Sequence, residues 1–194
     1  MPTALSRPEA WALLTDWVQA ESLRRHCLGV EAAMVAYARR GGHDEELWAV
    51  TGLLHDADFE RHPDMSDEQA GHPRTILAEL RRRDAPPEMV DAIAGHAPYL
   101  GVPRETELAR TLYAVDELSG FVAACAKVRP EGIRGMTPKS VKKKLKTPAF
   151  AAAVNRDEVR HGAEELGVDF DEHLRIVIAA LDERAAELGL EGAA

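Results

Sequence analysis

Along most of the chain, apolar residues recur at steps of three and four, and short polar or proline-rich stretches cut that rhythm into segments. Pro8 at a first helical turn, followed by Trp11, Leu14 and Val18, predicts an opening helix. A second runs from about Ala20 to Arg40 and stops at Gly41-Gly42; Leu23, Cys27, Val30, Met34 and Tyr37 form its apolar stripe. Asp44 is placed to cap a third, in which Leu47, Trp48, Val50, Thr51 and Leu54 lead into His55-Asp56. An acidic loop follows from Asp58 to Gly71. Pro73 then opens a fourth helix, with His72 expected as its N-cap.

Pro86-Pro87 breaks the chain before a fifth helix that ends at His96, where Pro98 stops it. The sixth spans about Glu105 to Ala126 and is apolar almost all round. After a Pro130–Gly135 connector, Thr137-Pro138 and Thr147-Pro148 both read as an N-cap followed by proline, predicting a short helix at each. Asn155 and Asp169 open the last two. No alternating strand pattern, internal repeat or low-complexity linker interrupts this, so the fold class is all-α.

Composition narrows the class without changing it. The chain has 194 residues, 45% hydrophobic and 29% charged, which suits one globular domain with a full core. The apolar runs Phe121–Ala126 and Ile176–Leu181 are too short to span a bilayer, and Met1–Pro8 has no apolar leader core. Cys27 and Cys125 lie in apolar helical context and read as reduced core thiols, so a cytoplasmic protein is expected. Net charge is −9, yet Lys127–Lys146 holds eight basic residues against Glu131 alone. Such a distribution argues against general nucleic-acid binding and for holding a small anion at one place.

The candidate chemistry starts from a misfit. Asp116 lies in the middle of the apolar sixth helix, with no basic partner on its face. Burying an unpaired carboxylate costs of order ~5 kcal/mol, so Asp116 needs a cation or strong donors. His26, on the stripe of the second helix, poses a milder form of the same problem. Convergence of His26, His55, Asp56 and Asp116 on one divalent metal answers both, and the donor types suit Zn, Mn, Fe, Co or Ni without choosing among them. His72 and His96, at the ends of their helices, can complete a second metal position bridged by Asp56. Taken singly each histidine reads as an ordinary core or surface residue, as His43, His161 and His173 do; order and spacing together carry the case.

That order, His26, then His55-Asp56, then Asp116, resembles the HD-domain superfamily of metal-dependent phosphohydrolases. The four residues match its defining positions, and His72 and His96 match the extra histidines of its binuclear members. The resemblance covers about residues 20–126. As in small bacterial HD proteins, to which the chain looks similar, the helix with Val115-Asp116-Glu117-Leu118-Ser119-Gly120-Phe121 is followed by Val128-Arg129-Pro130 and Ser140-Val141-Lys142-Lys143-Lys144. It implies a single domain over 1–194: an HD-type helical bundle with a C-terminal helical extension from about 127. It also implies one or two divalent ions, Mg included. One departure stands out: binuclear phosphodiesterases of the superfamily read His-Asp-Ile-Gly-Lys, and this chain reads His55-Asp56-Ala57-Asp58-Phe59. The lysine and the Gly-Tyr-Pro signature of cyclic-dinucleotide phosphodiesterases are both absent, so that substrate is not expected.

Lys139, Lys142, Lys143 and Lys146 fall on one helical face that begins at an N-cap, where the helix dipole adds positive field. With Lys127 and Arg129, directly after the Asp116 helix, this face is expected at the mouth of the metal site as a phosphate clamp, Arg156 being a weaker member. The expected activity is hydrolysis of a small phosphate ester, nucleotides among the candidates, with Asp58 as proton acceptor or as partner of a ligand histidine. Two other classes remain open: an HD-fold diiron oxygenase using the same six ligands, and a non-catalytic module that senses a ligand.

Overall fold

A computed structural model describes residues 5–192; Met1–Ala4, part of the segment read for a leader, lies outside the described residues. Among the described residues there are ten α-helices and no strand, apart from an isolated bridge between Gly132 and Glu191. The helices are α1 (Arg7–Trp17), α2 (Glu21–Gly41), α3 (Glu45–Leu54), α4 (Arg74–Arg82), α5 (Pro87–Gly95), α6 (Glu107–Lys127), α7 (Pro138–Leu145), α8 (Arg156–Leu166), α9 (Phe170–Glu183) and α10 (Ala185–Leu188). None is long and apolar enough to cross a membrane. Cys27 and Cys125 are free and buried.

Local capping explains most boundaries. Asp44 accepts the Glu46 and Leu47 amides, Thr137 accepts Ser140, Asn155 accepts Asp157 and Glu158, and Asp169 accepts Glu172. Gly42 ends α2 in the left-handed conformation at φ 71°, which costs a glycine nothing. Two expectations shift. The N-cap of α4 is Pro73, with His72 one residue outside the helix. Thr147-Pro148 starts no helix; residues 147–153 form turns. Arg156 holds these turns in place by donating to the Leu145, Thr147 and Val154 carbonyls, with further contacts to Phe150 and Ala151. Arg156 is therefore engaged in structure rather than at a phosphate rim.

Two long helices form the frame. α2 packs on α3, α6 and α9, and α6 packs on α5 and α8. Their shared core includes Leu14, Met34, Leu53, Leu112, Leu118 and Phe121, each fully buried. The α2–α3 contact is close because Gly52 carries no side chain: a Cβ there would stand 2.9 Å from Met34 Cγ and 3.1 Å from the Glu31 backbone. Backbone cannot give way cheaply, so Gly52→Ala should destabilise the protein by about 1–3 kcal/mol in urea unfolding. Glu31 is buried beside that contact and ties the frame together by accepting from Arg7 (2.8 Å) and Arg184 (2.9 Å).

His173, expected at the surface, is fully buried where α9 meets α2 and α6. It sits 3.0 Å from the Ala114 carbonyl through Nε2 and 2.6 Å from the Tyr37 hydroxyl through Nδ1. A carbonyl only accepts, so Nε2 carries the proton and Nδ1 accepts from Tyr37. Burial pushes this imidazole down to about 4. In the unfolded chain it titrates near 6.5, so the unfolded state takes up the proton first as pH falls. Stability from a neutral His173 is complete above about 6.5 and lost as pH drops towards 4. Between pH 7 and 4 the wild type should lose about 3 kcal/mol more than His173→Gln, read from denaturant midpoints at each pH.

Candidate metal centre

Four helices bring the six expected ligands to one place. His26 comes from the first half of α2, His55 and Asp56 from the end of α3, His96 from the C-cap of α5, Asp116 from the middle of α6 and His72 from the loop before α4. His55, His72 and His96 are buried, whereas His26, Asp56 and Asp116 are part-exposed at the floor of a cleft of about 480 Å3.

Asp56 stands between two groups. Its Oδ2 lies 3.6 Å from His26 Nε2 and 3.5 Å from His55 Nε2, and its Oδ1 lies 3.3 Å from His72 Nε2 and 3.5 Å from His96 Nε2. Asp116 Oδ1 joins the first group, 3.0 Å from His26 Nε2 and 3.3 Å from His55 Nε2. In each triad, His26-His55-Asp56 and Asp56-His72-His96, the ligand atoms lie within 4.8 Å of one another. One carboxylate shared by two triads is the geometry of a pair of adjacent cation positions.

The imidazole tautomers test whether a metal fits. His55 Nδ1 is 2.8 Å from the Gly52 carbonyl, and His96 Nδ1 bonds the Ile93 carbonyl. Carbonyls only accept, so both Nδ1 atoms carry hydrogen. His72 Nδ1 donates to Asp58 Oδ1 at 2.7 Å. With Nδ1 protonated in all three, each neutral ring turns an Nε2 lone pair towards carboxylate oxygens. Lone pairs facing at 3.3–3.5 Å repel unless a proton or a cation lies between them. Without metal, protons fill that role. Burial opposes charge on His55, yet Asp56 and Asp116 outweigh it and lift the imidazole to about 9. Asp116 is held well below the usual carboxylate range: burial would raise it, but His55 and His26 more than compensate. Neutral imidazole with carboxylate is a donor set for divalent transition metals, so the residues fit the group.

Asp58, fully buried, fixes His72 from behind and also accepts the Ile76 amide at 2.9 Å. It does not line the cleft, and its place is behind His72, one of the expected ligands. Asp58→Asn should weaken metal binding by about 10- to 100-fold in a chelator competition, with the fold retained.

The basic residues are elsewhere. No lysine or arginine lines the metal cleft among the described residues. Lys142 is paired with Asp171 at 2.6 Å, while Arg129 and Lys143 line a different cleft that shares no residue with the metal site. Lys127 lines a separate small hollow of about 180 Å3, together with Arg25 and Ser119, which shares His26 and Gly120 with the cleft. The dipole expectation also reverses: Lys142, Lys143 and Lys144 fall in the last turn of α7, where the negative end of the helix favours them without any phosphate. Their position depends on how α7 packs against α9, which Lys spacing does not encode.

Sequence reasoning missed two carboxyls in the cleft wall, Glu117 and Glu158. Glu117 accepts the Asn155 amide at 3.1 Å; burial, then the Asp116 charge, raises it to about 7. Burial also raises Glu158. The one available signal was the Asp116-Glu117 adjacency, since a second acid beside a buried ligand is forced near the same cavity. Phe59, Met65 and Tyr99 supply apolar wall, and the Tyr99 hydroxyl donates to the His72 carbonyl at 2.6 Å.

Fold and site thus describe an all-helical protein around a buried His/Asp cluster able to hold metal. A family model described as HD domain matches residues 23–120, just over half the chain, and the chain belongs to that family of metal-dependent phosphohydrolase type. No curated protein and no solved structure matches it.

Proposed function

We propose that this chain is a metal-dependent phosphohydrolase acting on a small phosphate ester, with two divalent ions held by His26, His55, Asp56 and Asp116 on one side and Asp56, His72 and His96 on the other. The observation that carries this reading is Asp56, whose two oxygens face separate histidine pairs. When bound, such ions supply Lewis acidity to a phosphoryl oxygen and lower the pKa of bound water to about 7.

The chain's own contribution is holding, excluding and proton transfer. Gly52, Ile93 and Asp58 lock three imidazoles with Nε2 inward, so the ligands need no reorganisation. Phe59, Met65 and Tyr99 shield one side of the cleft and offer apolar contact to the organic part of a substrate. The Glu117 carboxyl lines the cleft next to Asp116 and, protonated in part near neutrality, would give its proton to the leaving oxygen. The motif lysine of the superfamily's binuclear phosphodiesterases is missing, which supports a substrate other than a cyclic dinucleotide.

The test is a screen of phosphomonoesters, nucleotides and cyclic nucleotides against protein loaded with Mn, Co, Ni or Mg. Metal-dependent release of phosphate supports the proposal. Ligand binding without turnover under every metal favours a sensor. An oxygen-dependent change in absorbance and electron paramagnetic resonance after anaerobic iron loading favours an oxygenase.

A further inference from the structure

The cleft that takes Arg129 and Lys143 has a volume of about 420 Å3 and lies between the end of α6 and α7. It falls in the ~300–1,000 Å3 range of small-molecule sites. Lys144 lines it as well, and Glu131, Ser140 and Thr147 make up the rest of its polar wall. Neither Lys143 nor Lys144 has a carboxylate within ion-pair distance among the described residues; Lys144 Nζ lies 4.7 Å from the centre of the Phe150 ring.

Arg129 is the telling group. Its Nη2 donates to the Arg134 carbonyl at 3.0 Å, which fixes the guanidinium, but its Nε is buried with no acceptor. A guanidinium has five N–H donors, and with Nη2 fixed on one carbonyl the group keeps hydrogen-bonding capacity that an anionic oxygen in the cleft would use. Glu131 does not: its contact with Arg129 is 3.8 Å and its side chain is largely exposed. The helix dipole accounts for lysines near the end of α7, but not for the third cation that Arg129 adds to the same cleft.

We propose that this cleft binds a small phosphorylated molecule through its phosphate, with Arg129 as the fixed donor, Lys143 and Lys144 as flanking charges, and Thr147 as a neutral donor. It shares no residue with the metal cleft, so binding here is separate from the proposed hydrolysis and does not rest on it. Arginine and two adjacent lysines beside a hydroxyl group match the three acceptor oxygens and double charge of a phosphate better than a lone carboxylate.

Calorimetric titration with inorganic pyrophosphate tests this on full-length protein in chelator, so that no metal holds the probe. One-to-one binding is expected, weakening as salt rises. It should persist in His55→Ala, fall by about tenfold or more in both Arg129→Gln and Lys143→Glu, and tighten in Glu131→Gln. Lys143 is exposed, so its variant keeps the test valid if the Arg129 change loosens the connector. Absence of binding, binding lost in His55→Ala, or binding indifferent to both cation variants would overturn the proposal. So would capture of a short single-stranded oligonucleotide with no affinity for pyrophosphate.

Discussion

His55→Ala and Asp56→Ala should each lose metal and turnover together, with activity falling below detection. The two act for different reasons. His55 is the most enclosed of the six ligands and faces both Asp56 and Asp116. Without its ring, two carboxylates at the cleft floor lose the imidazole that most offsets their charge in the metal-free protein. Asp56 is the only one of the six that reaches both histidine pairs, so its removal breaks both triads at once. Metal content and phosphate release measured on the same preparations check this. His43→Ala and His161→Ala are the controls: these rings stack on Trp48 and pair with surface glutamates, respectively, away from the cluster. A His55→Ala protein with full metal and full activity would refute the ligand assignment.

The second large effect belongs to Glu117. Glu117→Gln should lower kcat by about 10²–10⁴-fold while metal content stays at the wild-type level. Glutamine keeps an acceptor for the Asn155 amide but has no proton to give at the leaving oxygen. The sign of the pH dependence follows from the same group. An acid catalyst works in its protonated form, so wild-type kcat should fall as pH rises through the Glu117 pKa, and the variant should lack that limb. In metal-free protein the value is about 7, set by burial and then by Asp116. A cation at Asp116 cancels part of that field, so the kinetic limb should lie at or below 7. Wild-type kcat in Glu117→Gln would reduce Glu117 to cleft lining.

Much of this was legible from residues alone, for reasons that are local. Asp44, Thr137, Asn155 and Asp169 announce helix starts because an N-cap bonds amides two or three residues away. Thr147-Pro148 gives the same signal and fails, because Arg156 gathers that stretch from outside it. The six metal-ligand candidates stood out because histidine and aspartate are conspicuous on apolar helical faces, and the fold gathers them. The basic segment was misplaced for the opposite reason. Charge spacing locates lysines on a helix face but says nothing about which cleft that face meets. Glu117 was hidden as an acid among acids, and His173 as a polar residue on an amphipathic helix. Only the packing of α2, α6 and α9 shows that one is a cleft wall and the other is core.

The most direct measurement is elemental analysis of the purified chain, scored as moles of each metal per mole of protein before and after loading with Mn, Fe, Co, Ni, Zn and Mg. With Asp56 bridging two histidine pairs, the expected result is about two equivalents of a divalent metal in the wild type. A wild-type protein that retains none, whatever metal is offered, would contradict the central claim.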